Sequence, residues 1–264
     1  MKHSAFRIRT FGGSLLALFL WLPANGQPVN ASGQASPDVN QIVANLVRNN
    51  QDRARLLQHY QGCRHYLLDY RGFPAHERAE MVVGMRYDAP ADKQFRILHE
   101  GGARLLLNRV LKQLLENEKE AAGEQNQHKT ALTPENYDFQ LVGSDRLDGR
   151  TQYVLEVSPR SSNKFLYRGK IWVDAEDYAV SRIEAEPAKN PSFWISHTDI
   201  EHQYTKIGDF WLPARNVSVS KIRFGGTAKL NIEYSDYRVG NGEKALGDDV
   251  CGDLTHEARV SKNQ

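Results

Sequence analysis

From Tyr137 to Tyr234 the chain alternates apolar and polar residues with a period of two, and this constrains the fold more than any other feature. Tyr137, Phe139 and Leu141 share one face of a segment, as do Tyr153, Leu155 and Val157. Ala228, Leu230, Ile232 and Tyr234 alternate with Lys229, Asn231 and Glu233. Turn residues punctuate the run at Asp174–Asp177, Gly208-Asp209 and Gly225-Gly226. Antiparallel strands with one apolar and one wetted face follow from such a pattern. Upstream, Tyr66, Leu68 and Tyr70 repeat it, then Met81, Val83, Met85 and Tyr87, with Phe95 and Ile97 in a shorter strand. The expectation is a mainly β (α+β) fold of about ten or eleven strands.

Two helices interrupt the strands. Ser36-Pro37-Asp38 opens the first, with Ser36 as its expected N-cap and Pro37 in its first turn. Val39, Ile42, Val43, Leu46 and Val47 carry its apolar stripe, which runs on toward residue 60. The second follows Gly101-Gly102, with Leu107, Val110, Leu111 and Leu114 at i, i+3, i+4 and i+7. Two helices are few for so large an apolar face. A strongly curved sheet wrapped around them covers most of it and leaves an apolar cleft.

Composition matters mainly through the N-terminus. Lys2, Arg7 and Arg9 precede the apolar run Leu15–Leu22, Pro23 breaks it, and Ala24-Asn25-Gly26 supplies small residues. This reads as a secretory signal peptide over residues 1–26, too short in its apolar part to span a bilayer and without a cysteine for a lipid anchor. The full chain of 264 residues has a net charge of +2, but without residues 1–26 it keeps 31 Lys and Arg against 32 Asp and Glu. Basic attraction to nucleic acid loses its support. The expected organisation is this leader, a disordered linker over 27–36, one domain over 37–240 and a polar tail over 241–264. The expected location is periplasmic or secreted.

Cys63 and Cys251 are the only cysteines, too few for a disulfide-dense scaffold or a Cys-only zinc cluster. In an exported chain they are expected to pair. No phosphate loop, dinucleotide fingerprint or nucleophile elbow is present. His76-Glu77-Arg78-Ala79-Glu80 lacks the second histidine of a zinc protease motif. His197 and His202 have an odd spacing, which sends them to opposite faces of a strand. Asp174, Glu176 and Asp177 suit turn chemistry. The reading is therefore no enzyme, no cofactor and no metal. Apolar surface remains: Met81, Val83, Met85 and Tyr87, then Leu107, Val110, Leu111 and Leu114, then Leu230 and Ile232. By pattern alone these read first as core. The flexible methionines also suit a variable acyl guest.

One hairpin favours the guest. Residues 167–184, Tyr-Arg-Gly-Lys-Ile-Trp-Val-Asp through Arg-Ile-Glu, resemble a hairpin of the LolA-like outer-membrane lipoprotein-sorting family. Gly208-Asp209-Phe210-Trp211-Leu212-Pro213 is similar to the turn that follows in that family. The resemblance implies a half-open β-barrel with helices in its concave side and a cavity for lipid or lipoprotein acyl chains. Tyr87, Trp172 and Trp194 would edge that cavity. It also implies an extracytoplasmic carrier or binder, a monomer, that meets an inner- or outer-membrane partner protein. The alternative is an envelope-stress sensing module of RseB type on the same fold.

Overall fold

The structure, a computed structural model, describes residues 37–90, 92–122, 128–190, 192–223, 225–240 and 251. The expected leader, linker and most of the polar tail lie outside these residues. Helix α1 spans Val39–Leu56. Its N-cap is Asp38, whose carboxylate accepts from the Asn40 backbone N–H at 3.1 Å. The expected cap, Ser36, lies outside the described residues. The helix ends short of residue 60 because Leu57 turns extended and His59 already begins a strand.

Ten antiparallel strands follow. They are β1 His59–Arg71, β2 Glu77–Asp88, β3 Asp92–Gly102, β4 Tyr137–Leu147 and β5 Arg150–Pro159. The rest are β6 Tyr167–Asp174, β7 Val180–Pro187, β8 Ile195–Ile207, β9 Phe210–Ile222 and β10 Thr227–Val239. They form one sheet in the order β3-β2-β1-β10-β9-β8-β7-β6-β5-β4. The edge strands β3 and β4 are consecutive in sequence but do not pair, so the half-barrel is unclosed. The chain between them carries the second helix, α2, in three consecutive pieces: Arg104–Leu106, a π-helical turn over Leu107–Leu111, and Lys112–Ala122.

The helices sit on the same face of the sheet, each over its own core. α1 buries Ile42, Val43 and Leu46 against Tyr137, Leu155, Val157, Ile171 and Val173. α2 buries Leu107, Leu111 and Leu115 against Tyr66, Met81, Val83, Leu230 and Ile232. On the opposite face, Cys63 and Cys251 form a disulfide with a Cα separation of 5.5 Å, packed with Val82.

Charged groups fix both helices. On the α1 side, Arg53 donates to the carbonyl oxygens of Asp177 and Tyr178 at 2.8 and 3.0 Å. The turn that receives it is organised by Asp174, which is fully buried and accepts from Arg150, Gln152 and the backbone N–H groups of Glu176 and Asp177. On the α2 side, Glu118 accepts from Arg64 at 2.6 and 3.0 Å and from Lys93 at 2.9 Å. The buried Arg64 guanidinium lies 5.1 Å from the rings of both Phe95 and Tyr234.

Burial pushes the Glu118 carboxyl up, but its bonds and attraction to Arg64 and Lys93 outweigh this and hold it at about 2. A carboxyl depressed on folding stabilises above its unfolded range and loses that contribution as pH falls. Stability should therefore drop between about pH 4.3 and 2, measured by urea unfolding. Glu118→Gln should cost about 3–5 kcal/mol at neutral pH by leaving the Arg64 charge unmatched. The disulfide closes a separation of 188 residues, so Cys251→Ser should lower stability by several kcal/mol, about 5 at most. Denatured, unreduced wild-type protein should show no reactive thiol.

Candidate functional site

The two cores share no residue, and the strands between them are β8 and β9. Strand pairing fixes what these two turn toward the concave face. Ser218 pairs with Leu230 and Ile200, and Asn216 pairs with Ile232 and His202. Because directly paired residues share a face, the floor reads Thr198, Ile200, His202 and Tyr204 on β8, with Asn216, Ser218 and Ser220 on β9. Of these only Thr198 is buried, while inward residues under the helices, such as Met81, Leu155 and Ile171, are fully buried. The floor between the helices is thus only partly covered, with α1 reaching it at Tyr204.

One end of this floor opens into a cavity of about 320 Å³, whose wall includes Leu57, Tyr167, Ile183, Tyr204, Phe210 and Trp211. Trp211 is held there by its Nε1–H, which donates to the Asp177 carboxylate at 3.0 Å. Larger depressions of about 550 and 600 Å³ lie against the outer face. Their walls are charged: Asp69 and Arg78 pair in the first, and Arg168 with Glu186 in the second. The inner cavity is smaller but aromatic and apolar, the character of a site for a hydrophobic guest.

Its wall also carries Asn50 and Arg53 of α1, the Arg53 guanidinium being bonded to the Asp177 and Tyr178 carbonyl oxygens. Burial pushes the Tyr204 hydroxyl up to about 12 and raises Tyr167 further. Burial also pushes His202 down to about 4, so its imidazole is neutral at physiological pH. These three side chains keep partial solvent access while the surrounding protein desolvates them, as expected of residues lining a hollow. Thr198 and Ser220 bond to each other at 2.8 Å. The Asn216 Oδ1 is buried without a hydrogen-bond partner. Among the described residues no group of three or more His, Cys, Asp or Glu is arranged to hold a metal ion.

The sequence-derived cavity candidates lie mostly under α2. Met81, Val83, Met85, Leu107 and Leu111 are buried, and Val110 and Leu114 pack on the same core. Leu230 and Ile232 belong to that core and stand beside Ser218 and Asn216 of the floor. Tyr87 stacks on Tyr60 with ring centroids 5.2 Å apart. Trp172 does not edge the hollow: it faces outward and donates to Asp145 at 3.1 Å. Trp194 is exposed in the β7–β8 connection. Sequence reading missed Ile200, Asn216, Ser218 and Ser220. Their alternation was present, but with polar residues inward, and only the pairing reveals that.

Residues 130–237 match a family model described as "Family of unknown function (DUF5686)". No curated protein matches. Among solved structures, a DUF1329 family protein from Desulfovibrio piger is 13% identical with a TM-score of 0.38, covering 79% of this chain and 96% of its own. A putative outer membrane lipoprotein-sorting protein domain from Vibrio parahaemolyticus is 12% identical at 0.36, covering 79% and 97%. A LolA superfamily protein from Nitrosomonas europaea is 13% identical at 0.34, covering 81% and 97%. These are loose likenesses.

Proposed function

We propose that this chain is an exported, non-enzymatic binder of acyl chains, belonging to a lipid or a lipoprotein, and that the guest lies on the partly covered floor of β8 and β9. The carrying observation is the half-buried concave floor between two separately packed cores. Each methylene taken from water there contributes about 0.8 kcal/mol. Neutral His202 and the hydroxyl and amide groups of the floor suit an ester or amide linkage at the end of such a chain, and Arg53 on the cavity wall is already bonded to backbone carbonyl oxygens. The Cys63–Cys251 disulfide supports an oxidising compartment outside the cytoplasm. Among the described residues no helix is long and apolar enough to cross a membrane, which is consistent with a binder that moves between sites.

The hollow is tested by filling it. Ser218→Trp should weaken uptake of a fluorescent fatty acid or an acylated peptide by about tenfold or more while the melting temperature holds, since the indole occupies the guest's volume. Unchanged uptake in the folded variant would place the guest elsewhere. Leu111→Glu is a poorer probe of binding. It sets a carboxylate in a fully buried core and should unfold the α2 half outright, which circular dichroism would report.

A further inference from the structure

The two ends of the sheet differ in charge. Eight hairpin connections join strands directly, four at each end. Those at one end, residues 89–91, 148–149, 175–179 and 208–209, contain Asp148, Glu176, Asp177 and Asp209 and no Lys or Arg. Those at the other, residues 72–76, 160–166, 188–194 and 223–226, contain Arg160, Lys164, Lys189 and Arg223 and no Asp or Glu. Arg160 and Lys164 pair with Asp138 and Glu120, outside the connections themselves.

The basic end also exposes large aromatic side chains. Phe73 is 84% exposed, Phe193 71% and Trp194 58%. Isolated apolar side chains on a surface are ordinary, but these stand on turns that are tied together. Tyr70 donates its hydroxyl to the carbonyl oxygens of Phe73 and Gly225, joining the β1–β2 and β9–β10 turns. Gly72 and Gly226 approach so closely that a Cβ on Gly72 would lie 2.8 Å from the Gly226 Cα. Arg223 donates its backbone N–H to the Trp194 carbonyl at 2.8 Å and its Nε–H to the Phe193 carbonyl at 2.6 Å. Its guanidinium lies 5.3 Å from the Phe193 ring, which meets Trp194 edge to face. Three turns thus form one braced platform with aromatic rings outward and positive charge around them.

We infer that this platform docks on an anionic lipid bilayer. Phe73, Phe193 and Trp194 enter the headgroup layer, and Lys189 and Arg223 meet the lipid charge. Amphipathic aromatic rings partition to that layer, and basic side chains at its edge are drawn to anionic lipid. At the far end Asp148 and Asp209 are repelled by anionic lipid, while Glu176 and Asp177 pair with Arg150 and Lys206. The inner floor leads there: Thr198 and Ser220 lie next to Ile195 and Ile222, where β8 and β9 reach the platform. The docking surface and the hollow are separate, and the first stands without the second.

Flotation of the mature chain with phosphatidylcholine vesicles, alone and mixed with phosphatidylglycerol, tests it. The protein should float with the mixed vesicles, less so at high salt, and show a blue-shifted emission component that Trp194→Phe removes. A Phe73→Ser, Phe193→Ser, Trp194→Ser variant with an unchanged melting temperature should bind about tenfold more weakly or less, as should Lys189→Glu with Arg223→Glu. Asp148→Asn with Asp209→Asn, at the other end, and Ser218→Trp, in the hollow, should bind as wild type. Wild-type protein that floats with neither vesicle, or an emission shift that survives Trp194→Phe, overturns the proposal and leaves the platform to a protein partner.

Discussion

A ten-strand sheet presents more inward surface than two helices can cover, and the rest of this molecule follows from that shortfall. Each helix solves the problem locally, by building a core with three or four neighbouring strands. α1 takes the β4–β7 side, and α2 takes β1–β3 and β10. α1 touches this strip only at its Tyr204 end, and most of β8 and β9 lies between the two cores. The shortfall is concentrated in one strip, where the chain sets hydroxyl, amide and neutral imidazole groups among aromatic rings.

The placement of the helices is an electrostatic matter as much as a hydrophobic one. Arg53 seats α1 on the β6–β7 turn, and the Asp174 network with Arg150 and Gln152 gives that turn its shape. Glu118 seats α2 on Arg64 and Lys93. Buried ion pairs are modest sources of net stability, because desolvation offsets most of the attraction. Their effect here is to specify position: an α2 shifted across the floor would leave Arg64 buried without its carboxylate. The π-helical turn at Leu107–Leu111 lies within the same helix, at the residues that fill the core, and π turns interrupt regular helix hydrogen bonding where geometry must be adjusted.

Much of this was legible in the sequence. The period of two gave the antiparallel sheet with few helices, the leucine stripe gave α2, and an odd spacing sent His197 and His202 to opposite faces. Cys63 and Cys251 are paired as expected in an oxidising compartment. The floor was not legible, for a physical reason. On β9, hydrophobicity suggests that Val217 and Val219 point inward, yet they pair with Glu201, Asn231, Asp199 and Lys229 on the outer face. An irregularity between Gln203 and Tyr204, opposite Pro213 and Arg215, shifts the register and sets which residues point in. Pattern reading finds apolar clusters, and those are the parts of this face that the protein fills for itself. Trp172 lies on the outer face because the β6 alternation puts Ile171 and Val173 inside, and Phe193 lies before β8 and is exposed.

Trp211 offers the most direct test of the central claim, because its indole walls the hollow while Trp172 and Trp194 do not. Titration with a brominated fatty acid, in protein carrying Trp194→Phe, should quench the Trp211 emission saturably, and Ser218→Phe, which fills the floor without adding an indole, should abolish the saturable component. Quenching that never saturates, or that is the same when the hollow is filled, would contradict an acyl guest on the β8–β9 floor.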